Sequence, residues 1–126
     1  MKKRYLLLSL LLPMAAFANS NCDKPVNDFD GLYCLNKVYG EADKELNQKY
    51  GQLAQLLDAQ GKAALKQGQL AWMKDRNSQC SRHDETGFLV NLGCATRKTV
   101  ARVEFLQSRI RECKSSGCQN SKLQGE

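Results

Sequence analysis

The sequence has 126 residues, room for one domain, and carries 19 Lys/Arg against 13 Asp/Glu, a formal charge of +6. Three of those charges, Lys2, Lys3 and Arg4, fall in a segment expected to be removed, so a chain from residue 19 carries 16 against 13, or +3. That balance argues against a strongly basic nucleic-acid binder, and the length leaves no space for a separate cofactor domain.

The chain opens with a basic stretch, an apolar run and Ala16-Phe17-Ala18, the small-x-small form of a signal-peptidase site. The apolar run is about 13 residues, short of the roughly 20 that a spanning helix needs. Residues 1–18 are therefore read as a cleaved signal peptide, 19–113 as one domain and 114–126 as a polar tail. No second apolar run follows, so no stable membrane insertion is expected after cleavage. The expected compartment is the periplasm or the extracellular space. All six cysteines (Cys22, Cys34, Cys80, Cys94, Cys113 and Cys118) lie in the exported part, which reads as three disulfides. There is no CxxC pair and a single histidine, His83, so no metal site and no cofactor are expected.

Residues 19–30 form a polar arm containing Pro25, with Asp30 as the expected cap of the first helix. Asp28-x-Asp30-Gly31 has the look of a calcium loop, but its twelfth position is Tyr39 rather than glutamate, so capping is preferred. The first helix is expected over 32–57, where Leu35, Tyr39, Ala42, Leu46, Leu53 and Leu57 recur at helical spacing. Asp58 caps a second helix over 59–79, with Leu65, Gly68, Trp72 and Arg76 facing inward and Gly68 allowing the first helix to approach. So short a link makes the two antiparallel neighbours. Residues 81–93 read as a loop whose Phe88, Leu89, Val90 and Leu92 fold back over the end of the helices. A third helix over 94–113 turns Thr99, Val103, Leu106 and Ile110 inward and leaves Arg97, Lys98, Arg109 and Arg111 in water. Residues 114–126 read as mostly disordered. Few aromatics and no Val/Ile/Thr alternation argue against a sheet. The expected fold is all-α, a disulfide-stapled antiparallel three-helix bundle.

That geometry constrains the disulfides. Cys22, Cys34, Cys80 and Cys94 fall at one pole, and Cys113 lies about 28 Å beyond Cys94 along its helix. Its natural partner is Cys118, across the Ser115-Ser116-Gly117 turn. The other four allow three pairings; Cys22 with Cys94 and Cys34 with Cys80 is favoured, the latter tying the outer ends of a helical hairpin.

The motifs form a larger pattern. Cys34-Leu35-Asn36 leads to Ala42-Asp43-x-x-Leu46-Asn47-x-x-Tyr50, then Leu65, Gln69-x-Ala71-Trp72-Met73-x-x-Arg76 and Cys80. Cys94-x4-Thr99-x-x-Arg102-x3-Leu106 closes it. Over residues 22–108 this resembles the LprI-type lysozyme inhibitor N-terminal-like domain family, small secreted cysteine-containing helical domains of which many have no known function. The resemblance implies a non-enzymatic domain that binds a lysozyme. Three features depart from the family pattern: Gly68 before Gln69, Asn77 in place of an acid after Arg76, and the added Cys113/Cys118 pair.

Asp43, Asn47 and Tyr50 share one helix face, as do Gln69, Trp72 and Arg76, and Thr99, Arg102 and Leu106. A ligand-binding polar groove is one reading of these positions. An internal network fixing helix register is preferred, with Asp43 paired to Arg102 or Arg76 and Trp72 as a core anchor. Disulfides use the thiols, and no serine or threonine has a histidine base at a recognisable spacing. No paired-carboxylate cleft or phosphate-cradling loop is evident, so no enzyme activity is expected. The expected partner is a lysozyme, met by Asp84, Glu85 and Phe88 of the 81–93 loop. The alternative is a non-enzymatic periplasmic accessory module that binds another envelope protein. No nucleic-acid partner is expected.

Overall fold

A computed structural model describes residues 21–124, so the expected signal segment lies outside the described residues. The elements in chain order are a 3-10 turn at Asn21–Asp23, α1 (Asp28–Leu56), α2 (Ala59–Cys80), β1 (Ser81–Asp84), β2 (Gly87–Val90), α3 (Leu92–Ser115) and a 3-10 turn at Asn120–Lys122. Three helices and three disulfides dominate the molecule.

α1 starts a turn earlier than its apolar stripe. Its cap is Asn27 rather than Asp30: the Asn27 side chain accepts from the Asp30 amide at 2.8 Å, while Asp30 accepts from the Val26 amide at 3.2 Å. An asparagine at N-cap with acids in the first turn answers the unpaired amides and the helix dipole together. The first three turns pack on little, which leaves Phe29, Leu32 and Tyr33 exposed. The buried stripe begins at Ala42 and continues through Leu46 and Leu53 to Leu57 in the link. Asp58 caps α2 by accepting from the Gly61 amide at 2.7 Å.

α1 packs most extensively along α3, and α2 lies farther from α1. Leu46, Leu53, Leu57, Leu65, Val103, Leu106 and Ile110 form one buried cluster, completed by Leu123 from beyond α3. Leu123 corrects the expectation of a disordered tail, since it is 1% exposed. Its segment is tied down along its length. Cys118 is bonded to Cys113, and its sulfur lies 3.4 Å from the Leu56 carbonyl. Asn120 donates to Asp58 at 3.1 Å, Lys122 meets Glu112 at 2.9 Å, and Gln124 donates to Gln67 at 2.9 Å. Gly68 serves this segment rather than α1. A Cβ there would stand 2.6 Å from the Leu123 carbonyl oxygen and 2.9 Å from Gln124 Cα.

The expected loop after α2 is a two-stranded antiparallel hairpin, which corrects the all-α expectation. Ser81 pairs with Val90, Arg82 with Leu89, His83 with Phe88 and Asp84 with Gly87. Its sequence shows no alternation because neither face is buried in the core. Phe88, Leu89 and Val90 remain 65%, 43% and 50% exposed instead of folding over the helix ends. Glu85-Thr86 make the turn, and Gly87 takes the positive φ of 125° that closes it.

The disulfides correct the favoured pairing. Cys22 is bonded to Cys34 and Cys80 to Cys94, with Cα separations of 5.6 and 5.4 Å. The physical reason is the early start of α1: the arm folds back on its own first turns. The hairpin returns the chain to the end of α2, so each cysteine meets its nearest neighbour in sequence.

Candidate functional site

The expected polar positions fall into two groups, each built around an arginine. Arg76 on α2 is 7% exposed and lies across from α3. It donates to Thr99 Oγ1 at 3.3 Å and to Asn77 Oδ1 at 3.2 Å, and its guanidinium stands 3.9 Å from the Asp43 carboxylate on α1. The Thr99 hydroxyl donates to the Ala95 carbonyl at 2.7 Å, which leaves its lone pairs to Arg76. Arg102 on α3 is 3% exposed and donates from Nε to Gln69 Oε1 at 2.9 Å. Burial pushes its pKa down to about 10, so it stays charged at neutral pH.

Aromatic faces hold both cations. Arg76 lies 5.0 Å from the Trp72 ring centroid and 5.8 Å from Tyr39; Arg102 lies 4.4 Å from Phe105 and 5.8 Å from Trp72. Trp72 is half-buried between the two guanidinium groups. Tyr39 and Phe105 were not singled out from sequence as arginine partners. The available signal was Phe105 three residues after Arg102, on the same helix face. Arg109, expected in water, also lies over Phe105 at 5.6 Å and pairs with Glu112 at 3.3 Å.

Asn47 and Tyr50 stand apart from this network. Asn47 is exposed and Tyr50 packs on the apolar cluster. Both line a shallow cavity of about 430 Å³ together with Asp43, Gln69 and Arg76. The structure therefore joins Asp43, Gln69, Trp72, Arg76, Thr99 and Arg102 across the three helices and leaves Asn47 and Tyr50 at the rim.

The loop residues Asp84, Glu85 and Phe88 lie on the hairpin. Asp84 accepts from the Thr86 amide at 2.8 Å and from the Thr86 hydroxyl, and it pairs with Arg82 at 3.5 Å. Those Thr86 bonds hold its carboxyl below the usual aspartate range. Asp84 thus closes the turn, Glu85 is exposed, and Phe88, also largely exposed, sits on the side of the hairpin toward α1. The base of the hairpin is fixed by the Cys80–Cys94 bond and by the Asn91 amide donating to the Cys80 carbonyl at 2.7 Å. Ser81 adds a hydroxyl bond to the Asn77 carbonyl. Between the hairpin and α1 lies a second cavity of about 590 Å³, lined by Asn36, Tyr39, Phe88 and Val90 among others.

Among the described residues, no cluster of three or more His, Cys, Asp or Glu could hold a metal ion, and no helix is long and apolar enough to cross a membrane. The molecule is a small, disulfide-linked helical domain in which Gln69, Arg76, Thr99 and Arg102 of the polar motif are buried within its own structure. Its sequence matches the family model described as "Lysozyme inhibitor LprI" over residues 21–106, so the chain belongs to that family. Neither the curated proteins nor the solved structures contain a significant match. The family is one of inhibitor domains rather than known enzymes, and with three disulfides it points to an extracytoplasmic protein.

Proposed function

We propose that this protein is a periplasmic or secreted lysozyme inhibitor acting by direct protein–protein binding, without catalysis. The observation that carries the reading is the family match over residues 21–106. The scaffold is read as an antiparallel three-helix bundle, supported by the link of only Leu57-Asp58 between α1 and α2 and by the hairpin between α2 and α3. The contact element is read as residues 81–90, because the polar motif of the helices is engaged internally while the hairpin faces water on both sides.

The test is cell-wall lysis by chicken-type, goose-type and invertebrate-type lysozymes, each titrated with the oxidised protein lacking residues 1–18. Stoichiometric inhibition of one class, lost in a reduced and alkylated sample, is the expected result. No inhibition by well-folded protein at micromolar levels would leave the family fold serving another envelope partner.

A further inference from the structure

The hairpin offers little chemistry at its tip that is not already engaged. Arg82 is paired with Asp84, and Asp84 is bonded to Thr86. His83 and Glu85 are exposed and make no hydrogen bond or ion pair within the described residues. The register puts His83 opposite Phe88, so an imidazole and a 65% exposed aromatic ring share one face of the ribbon. Four-residue strands at about 3.4 Å per residue project roughly 13 Å from the Cys80–Cys94 clamp. A ribbon fixed covalently at its base and by an Asp84–Thr86 lock at its tip loses little freedom on binding.

We propose that this hairpin fills the glycan cleft of the target lysozyme, with His83 meeting the catalytic carboxyl pair and Phe88 taking the place of a sugar ring. The inference rests on the inhibitor reading above. A glycosidase cleft is built around two acids, about 5–5.5 Å apart in retaining enzymes. One of them is protonated and donates while the other is ionised and accepts, so a protein segment entering the cleft must answer with an acceptor and a donor. A single imidazole ring offers both, an N–H donor on one nitrogen and an acceptor lone pair on the other. Glu85 cannot do so and sits at the rim, where it can face the cationic outer surface of a basic lysozyme. The overall charge of +3 on residues 19–126 gives no long-range attraction to such an enzyme, so recognition belongs to local contacts of this kind.

The experiment uses oxidised protein and the lysozyme class most strongly inhibited in the titration above. Affinity is measured by calorimetry with and without tri-N-acetylchitotriose, a trisaccharide that occupies the cleft. It is repeated with His83→Ala, with the lysozyme's catalytic acid replaced by its amide, and with both changes together. The expected result is displacement by the trisaccharide and a loss of roughly tenfold or more for His83→Ala. The double change should cost less than the two single changes added. Because His83 is exposed, His83→Ala should keep the melting curve of the parent, which separates contact from folding. Binding that ignores both the trisaccharide and His83→Ala would overturn cleft insertion and leave inhibition standing. Absence of binding to every lysozyme would overturn the inhibitor reading and this inference together.

Discussion

Trp72 takes part in both arginine groups, 5.0 Å from Arg76 and 5.8 Å from Arg102. Its loss removes apolar packing and two cation–π contacts at once. Trp72→Ala should lower unfolding stability by about 3 kcal/mol, measured by urea denaturation, and Trp72→Phe by distinctly less. Asp43 is a different case. A fully buried Arg–carboxylate pair would cost roughly 3–5 kcal/mol to break. Here the Asp43 side chain is 44% exposed and 3.9 Å from Arg76, and Thr99 and Asn77 already accept from that guanidinium. Asp43→Asn should therefore cost no more than about 1 kcal/mol. Asp58 gives a pH signature. Its carboxyl is held below the usual range by the Gly61 amide and then by Asn120. A depressed folded-state value means that its stabilisation is complete above pH 3.8 and lost as pH falls through the lower folded value. Acid titration should show that loss in the native protein and a flatter curve in Asp58→Ala.

At the scale of elements, the helices were legible because each carries its own stripe. Leu46 and Leu53, Leu65, and Val103 to Ile110 sit where a 3.6-residue period puts them. The hairpin was not legible, because strand alternation records burial of one face and this ribbon buries neither. The segment after α3 was misread for the opposite reason. One leucine among polar residues has no period, yet Leu123 completes the core. The trace it left in the sequence is on another element, in the two glycines of α2 that cost helix propensity. Gly68→Ala would press a Cβ against backbone at 2.6 and 2.9 Å, so the segment must lift off. A net loss of about 1–3 kcal/mol is expected, despite the helix-propensity gain of about 1 kcal/mol. At Gly61 a Cβ would stand 2.6 Å from the Asn120 side-chain oxygen, which can rotate away, but also 3.0 Å from Leu57 Cβ and 3.2 Å from the capping Asp58 Oδ1, which cannot, so Gly61→Ala should cost about 1 kcal/mol, less than Gly68→Ala. Leu123→Ala should cost about 2–3 kcal/mol by the same denaturation measurement, whereas a disordered tail would cost nothing. The candidate site divides in the same way: the arginine network could be read from helical spacing, while the aromatic faces that Tyr39 and Phe105 turn to Arg76 and Arg102 emerged only from the packing.

For the molecule as a whole, the disulfides staple ends rather than cross-link helices far apart in sequence. Their separations are 12, 14 and 5 residues, and none bridges α1 to α2 or α1 to α3. Each closes a small loop, worth roughly 2–3 kcal/mol in the chain-entropy account for the two longer ones. Replacing Cys80 and Cys94 together by serine should therefore leave the α1–α3 core folded while hydrogen exchange of the hairpin amides accelerates. A global collapse of protection would mean that the bond supports the core itself.

The position of Leu123 also sets a timetable. A nascent or translocating chain reaches its core residues in order, and the cluster from Leu46 to Ile110 is available well before its last member. Until residue 123 emerges, the slot over Gly68 stays open and apolar side chains face water. The domain can thus complete its fold only once residue 123 has emerged, in a compartment where Cys118 can also be oxidised. A chain halted before that point should be captured by chaperones or degraded rather than accumulate as a shortened domain.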